Sequence, residues 1–217
     1  MSLKEAFTNY KMSCCKDLDE AVCKGHYECV QHLVENEGAV MTTCTMSLAC
    51  ASGSLETVRY LNEHECPVDR NGSEGGGYYL YQAAYRGYFS IVTYLVEHGH
   101  SLFGTGTCEA AAGGGHADIL EYAHTNGDEL NPEVFNMAVF SGNLRVAMYC
   151  YEQGCPMNER IWQMALQSKA KNLEMIRYLF KIRVPIPNER VRENALKYGI
   201  MNDWSDANHL VSAWFHM

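Results

Sequence analysis

The sequence predicts an all-α protein, an α-solenoid of stacked antiparallel helix pairs. An alanine followed four residues later by a glycine recurs along the chain, and apolar residues follow each glycine at helical spacing. Of the 217 residues, 47% are hydrophobic and 20% are charged, which is enough apolar surface for a core. No Pro-, Ser- or Gly-rich linker divides the chain, so we expect one continuous architecture.

The recurring alanine and glycine mark the end of the first helix in each unit. They are Ala21 and Gly25, Ala49 and Gly53, Ala83 and Gly87, Ala111 and Gly115, Ala138 and Gly142, and Ala195 and Gly199. The first five glycines are separated by steps of 28, 34, 28 and 27 residues. A degenerate unit around Ala165, with Lys169 in place of the glycine, brings the expected total to about seven units.

Each unit contains signals for two helices and a turn. The first helix is expected to end at the glycine, which adopts the left-handed conformation without a side-chain clash. The second helix is expected to open with a capping residue, such as Ser54, Ser90, Asn143 or Asn172. It is expected to stop before Cys66-Pro67, Gly99, Gly127, Cys155-Pro156 and Val184-Pro185. A pair this small cannot bury its apolar face alone, so neighbouring pairs must stack on it.

A tyrosine recurs at one phase of the second helix. It is Tyr60, Tyr94, Tyr122, Tyr149 and Tyr178 in five of the units. We interpret this aromatic row as packing between units, because a repeated residue at a fixed helical phase is typical of a core.

Residues 83–99 resemble the core of the ankyrin repeat, with its two alanines, glycine, valine, leucine and closing glycine. Gly25-His26 and Gly115-His116 keep the Gly-His pair of that family, and the resemblance extends from about Leu18 to Gly199. The units are shorter than the usual period of about 33 residues and lack Thr-Pro-Leu-His. This implies that the projecting hairpins are reduced to short turns. The shortened units, with Cys-Pro or Asn-Glu in residues 155–160 and 187–190, are similar to ankyrin repeats of protists and large DNA viruses.

The pattern divides the chain into an N-terminal capping helix (1–17), the ankyrin-like stack (18–199) and a C-terminal capping helix (200–217). Ala207, Leu210, Val211 and Trp214 fall at helical spacing in the last segment, which either covers the final unit or serves as an exposed docking helix. The 34-residue spacing between Gly53 and Gly87 includes a glycine-rich insertion at residues 68–77. This insertion is either part of a binding edge or a tolerated surface loop.

The formal net charge of −9 argues against nucleic-acid and anionic-membrane partners, which bind mainly through Lys and Arg. The apolar runs are shorter than a membrane span, and Met1 to Tyr10 lack the apolar core of a signal peptide. We therefore expect an intracellular protein of the cytoplasm, which is the host cytoplasm if the protein is viral.

The ten cysteines are interpreted as buried free thiols, since most lie within apolar helical patterns. There is no Cys-x-x-Cys and no Cys/His pairing at zinc-finger spacing, so no metal site is expected. The glycine-rich residues 104–107 and 113–116 do not continue into Gly-Lys-Ser/Thr, which argues against a nucleotide cofactor. No catalytic motif is present, and we expect neither enzymatic activity nor a cofactor.

The resemblance implies that the protein binds a partner protein on the concave side of its first helices, where the family uses the two residues before each glycine. The expected binding residues are Lys24, Ser52, Tyr85, Arg86, Phe140 and Ser141, together with Tyr78 and Tyr79 beside the insertion. Aromatic and Arg side chains carry most interface energy, although Phe140 could instead pack beneath a neighbouring unit.

The predicted function is a monomeric protein–protein interaction scaffold, an adaptor or an inhibitor. The alternative is a small-molecule-binding protein, or an enzyme whose site is assembled from distant residues. A deep pocket with converging His, Cys or carboxylate groups would favour that alternative.

Overall fold

The computed structural model describes residues 15–68, 78–102, 104–167, 173–188, 190–191 and 193–194. Within these residues the chain forms twelve α-helices and no strand. They are α1 Leu18–Cys23, α2 Tyr27–Glu35, α3 Thr43–Ser52, α4 Leu55–Glu63, α5 Tyr78–Arg86, α6 Phe89–Glu97, α7 Thr107–Gly114, α8 Ala117–Thr125, α9 Pro132–Ser141, α10 Leu144–Glu152, α11 Arg160–Gln167 and α12 Leu173–Lys181.

The helices form two layers. The first helices of the units (α1, α3, α5, α7, α9 and α11) pack against one another in chain order and form the first-helix layer. The second helices (α2, α4, α6, α8, α10 and α12) form a parallel second-helix layer in the same order. This confirms the predicted α-solenoid of helix pairs. Of the connectors between pairs that the structure describes in full, residues 36–42, 126–131 and 153–159 are all short, as the reduced hairpins predicted.

A continuous apolar core lies between the two layers and runs from Cys15 to Val184. Ala49, Ala83, Ala111 and Ala138 have no exposed surface, so the small residues before each glycine let the first helices approach closely. Because every unit contributes residues to the same cluster, each unit covers the apolar face of its neighbour, as expected for a repeat protein.

The anchor glycines form a contact that the sequence did not predict. Gly25, Gly53, Gly87, Gly115 and Gly142 all have positive φ, between 65° and 83°, as the left-handed turn requires. A Cβ added to Gly53 would lie 2.6 Å from Cζ of Tyr88. Equivalent positions on Gly87 and Gly115 meet His116 and Asn143. The residue after each glycine therefore covers the glycine of the preceding unit, and the units interlock.

The caps agree with the prediction at two positions and differ at a third. The side chains of Ser54 and Asn143 accept hydrogen bonds from the backbone N–H groups of Thr57 and Val146. Ser90 lies inside α6, whose N-terminal capping position is Tyr88, so its assignment as a cap was wrong. The helix begins one residue after Tyr88 because the Gly87 turn is short.

The recurring tyrosines pack between second helices, as predicted. The Tyr60 hydroxyl donates to Oε1 of Glu35 in the preceding unit at 3.3 Å, and the Tyr149 hydroxyl lies 2.9 Å from Nδ1 of His124. Burial, and then the charge of Glu152, raise the pKa of Tyr178 to about 12. These contacts link successive second helices through the side chain at one repeat position.

The cysteines in the described part of the chain are not joined by disulfide bonds. Seven of these nine residues are buried, and only Cys23 and Cys44 are exposed. Burial raises the pKa of the Cys66 thiol to about 11, which makes it a poor nucleophile. The prediction of buried cysteines is confirmed for these seven and is wrong for Cys23 and Cys44, which lie on the surface.

Several predictions fall on residues outside the described ranges. They include most of the N-terminal cap (1–17), the C-terminal cap (200–217), residues 69–77 of the insertion, the proposed cap Asn172, and the unit anchored at Ala195 and Gly199. The division of the chain into caps and stack therefore stays a prediction.

Candidate functional site

The exposed side of the first-helix layer carries three of the eight predicted binding residues, Tyr78, Tyr85 and Phe140. Side chains three or four positions apart share one side of a helix, so each first helix presents one strip to solvent. We call these strips together the first-helix face. It is defined by Cys44, Ser47, Tyr78, Tyr81, Tyr85, Glu109, Gly113, Glu133, Met137, Phe140, Arg160 and Gln163, all exposed or half-buried.

Three tyrosines of α5 stack along this face. The rings of Tyr78 and Tyr81 have centroids 5.9 Å apart and are tilted by 12°, and those of Tyr81 and Tyr85 are 6.3 Å apart and tilted by 7°. Tyr78 is 52% exposed and Tyr85 is 47% exposed. We call this set the tyrosine ladder. Sequence reasoning missed Tyr81, although its spacing from Tyr78 and Tyr85 was the signal that could have identified it.

The ladder continues across a glycine of the neighbouring helix. A Cβ on Gly113 of α7 would lie 3.5 Å from the ring of Tyr85 and 2.8 Å from Cε of Met137 on α9. A Cβ on Gly114 would collide with the backbone carbonyl of Tyr85. The two glycines thus let α5, α7 and α9 approach, and the side chains of Tyr85 and Met137 converge over α7. Gly113 and Gly114 lie in helix α7 and do not form a phosphate-binding loop.

Phe140 lies close to Met137 on the same helix and is 38% exposed. It therefore belongs to the surface and is not buried beneath a neighbouring unit. Ser141 is half-buried, and its hydroxyl donates to the carbonyls of Ala112 and Ala138 at 2.9 and 3.0 Å. Since the first bond joins α9 to α7, Ser141 contributes to the stacking of these two helices.

Ser52 is half-buried, as Ser141 is. Its hydroxyl donates to the Ala49 carbonyl of its own helix at 2.8 Å. Lys24 and Arg86 are exposed at the ends of α1 and α5. The Lys24 ammonium lies 2.7 Å from Oε1 of Glu20, one turn earlier, and this hydrogen bond lowers the pKa of Glu20.

Tyr79 does not belong to the exposed surface, so its assignment as a binding residue was wrong. It is 4% exposed, and its hydroxyl lies 2.9 Å from Nδ1 of His100. His100 in turn contacts Oδ1 of Asn62 through Nε2 at 2.9 Å. Neighbouring residues of a helix point about 100° apart, so Tyr79 faces the core while Tyr78 faces solvent.

Polar and acidic groups border the ladder. Asn131 donates to Oε1 of Glu109 at 2.6 Å, and Arg160 lies 3.2 Å from Oε2 of Glu133. Burial first, and then the charge of Glu109, raise the pKa of Tyr81. The face therefore combines a strip of aromatic rings with two carboxylates on the next two helices.

A cavity of about 540 Å³ lies between α11 and residues 187–194, and it is open to solvent. Among the described residues, its lining includes Arg160, Arg190, Gln163 and the carboxylate of Glu159, and it includes neither His nor Cys. The described lining residues therefore do not bring together the acid, base or nucleophile that the enzyme alternative requires.

None of the helices in the described ranges is long and apolar enough to cross a membrane.

A family model of ankyrin repeats, in three copies, matches residues 18–103, which contain α1 to α6. The pairs from α7 to α12 continue the same two-layer arrangement. A search of curated proteins found no match. Ankyrin repeats are generally protein–protein interaction modules, and the family is typically not enzymatic. The glycine turns, the interlocked helix pairs and the family match together identify residues 18–103 as three ankyrin repeats.

Proposed function

We propose that this protein is a non-enzymatic scaffold that binds one partner protein through the first-helix face. The tyrosine ladder, Met137 and Phe140 are the anchors of this interface. The observation that carries the proposal is the stacked, half-exposed ladder on α5.

The exposed rings of the tyrosine ladder are better explained by a role in binding a partner than by a role in stabilising the fold. The core side of α5 is formed by Tyr79, Leu80, Ala83 and Ala84, all buried, so packing does not require the exposed rings. Tyrosine is enriched among residues that dominate interface energies, because it buries a large area for the loss of few rotatable bonds. Stacking also restricts the rings before binding, which reduces the entropy lost on association.

The charges beside the ladder favour a partner segment that carries Lys or Arg next to apolar side chains. Glu109 and Glu133 border the aromatic strip, and the whole chain has a formal net charge of −9. Such complementarity mainly accelerates association and selects among partners. The Arg160–Glu133 pair is exposed on both sides, so exchanging it for a contact with a partner costs little.

The finer role is that of an adaptor or an inhibitor, acting as a monomer in the cytoplasm. The described cysteines form no disulfide bonds and are mostly buried, which fits a reducing compartment. An inhibitor would cover the active site of its partner with the first-helix face, whereas an adaptor would leave that site open.

The proposal is tested by affinity purification of the tagged protein from its native cells, followed by quantitative mass spectrometry. The binding variant combines Tyr78→Ala, Tyr85→Ala and Phe140→Ala. The control combines Met148→Ala and Tyr151→Ala on the second-helix layer, whose side chains are 41% and 42% exposed.

We expect a partner that is recovered with the wild type and with the control but lost from the binding variant, while circular dichroism shows the same helix content in all three. Recovery of the same partner with all three proteins, or equal loss from both variants, would reject the first-helix face as the interface.

A further inference from the structure

We propose that Cys15, His26 and Cys29 form a binding site for one Zn²⁺ ion at the beginning of the repeat stack. Sγ of Cys15 lies 3.3 Å from Nδ1 of His26, and the ligand atoms of the three side chains all lie within 4.8 Å of one another. Both thiols are buried, with 8% and 4% exposure, and the imidazole is half-buried.

The spacing of these atoms fits tetrahedral coordination. Zinc binds Cys sulfur at about 2.3 Å and His nitrogen at about 2.0–2.1 Å, so tetrahedral angles separate two sulfurs by about 3.8 Å and a sulfur from a nitrogen by about 3.5 Å. The three donors are therefore close to the arrangement that one ion needs. Two thiolates and an imidazole favour zinc over calcium or magnesium, which prefer oxygen ligands. A water or a further donor would complete the tetrahedron.

His26 differs from the equivalent residues of later units in what it contacts. In those units the residue after the anchor glycine is Ser54, Tyr88, His116 or Asn143, and it covers the glycine of the preceding unit. In the first unit this position is His26, which faces Cys15. In the first unit, therefore, the residue after the anchor glycine contacts a thiol, whereas in the later units it contacts a glycine.

Cys29 departs from the repeat in the same region. Four residues after the anchor glycine, the later units have Thr57, Ile91, Ile119 and Val146, each fully buried. Packing at this position is satisfied by a β-branched residue and does not require a thiol. Among these units, the position of Cys29 therefore has a metal-binding residue type only in the unit where Cys15 and His26 lie beside it.

A bound ion would hold the segment before α1 onto the start of α2 and so stabilise the first unit. Metal binding to the native state adds to folding stability in proportion to its affinity. Because zinc replaces the protons of both thiols, two protons leave for each ion bound to the neutral side chains. Affinity is therefore expected to fall at acidic pH.

The test uses the full-length protein, purified with a non-thiol reductant, and Co²⁺ and Zn²⁺ as probes. Cys29→Val and His26→Asn introduce the residues that the chain itself has at the equivalent positions, Val146 and Asn143, so the repeat packing is retained. Cys44→Ser, which changes an exposed cysteine of α3, is the control.

We expect one Co²⁺ per wild-type chain, with the visible absorption of a tetrahedral thiolate complex that Zn²⁺ bleaches. Cys29→Val and His26→Asn should weaken binding by on the order of a hundredfold or more, while Cys44→Ser should not. Circular dichroism confirms that each metal-free variant is folded.

Three results would overturn the proposal. They are a folded, reduced wild-type protein that shows no cobalt–thiolate absorption, binding by Cys29→Val that equals that of Cys44→Ser, and a disulfide between Cys15 and Cys29 in protein isolated from the native cells.

Discussion

The interlock between units predicts an unusually large cost for Gly87→Ala. Gly87 has a φ of +82°, and a Cβ there would collide with the ring of His116 in the next unit. A left-handed alanine costs roughly 1–2 kcal/mol, and forcing the His116 ring away from its rotamer adds about 0.5–1.5 kcal/mol. The free energy of unfolding should therefore fall by about 1.5–3.5 kcal/mol.

Gly99→Ala is the matched control. Gly99 has nearly the same φ, +85°, but no heavy atom lies within 4 Å of the added Cβ, so only the backbone strain remains. Urea denaturation followed by circular dichroism compares the two variants. In a His116→Ala background, the cost of Gly87→Ala should fall to that of Gly99→Ala. If Gly87→Ala costs no more than Gly99→Ala in the wild-type background, the interlock contributes nothing and the reasoning is refuted.

Three further substitutions test the packing of the later units. Burial raises the pKa of Asp128, whose carboxylate accepts the backbone N–H of Cys108. Between the unfolded pKa of about 3.9 and the raised pKa, the native state binds more protons than the unfolded chain. The free energy of unfolding of the wild type, relative to that of Asp128→Asn, should therefore fall as pH rises through this range. Urea titrations at several pH values that show no such fall would contradict the prediction. Trp162→Phe removes the hydrogen bond from the indole N–H to the Val184 carbonyl and also removes part of a buried ring. The free energy of unfolding should fall by about 2–3 kcal/mol, measured by thermal denaturation. A fall of less than about 1 kcal/mol, the value of one ordinary hydrogen bond, would contradict this prediction. Ser141→Ala should cost about 0.5–1.5 kcal/mol in the same assay, and an unchanged melting temperature excludes its bond to α7 as a stabilising contact.

The sequence was sufficient to predict the helix pairs because their signals are local. The spacing of Ala83 and Gly87 determines where the first helix of the unit ends. The apolar residues that follow determine which side of the second helix packs against the core. The side on which a residue points depends on the first residue of the helix. Tyr78 and Tyr79 were both assigned to a loop edge, but α5 begins at Tyr78, which turns Tyr79 into the core.

Contacts between units could not be predicted from spacing. His116 was recognised as part of a Gly-His pair, yet its position over Gly87 depends on how α7 packs against α5. The Cys15, His26 and Cys29 group is similar: its spacing of 11 and 3 residues matches no common zinc motif, and the thiols meet only because α1 folds back onto α2. Spacing along the chain alone therefore gave no indication of this group.

Photo-crosslinking tests the proposed interface most directly. A benzophenone amino acid is introduced at Tyr85 on the first-helix face, or at Met148 on the second-helix layer, two positions of similar exposure at 47% and 41%. Irradiation of native cells should join one partner protein to the chain from position 85 and not from position 148. A partner captured from position 148 but not from position 85 would contradict the assignment of the binding surface.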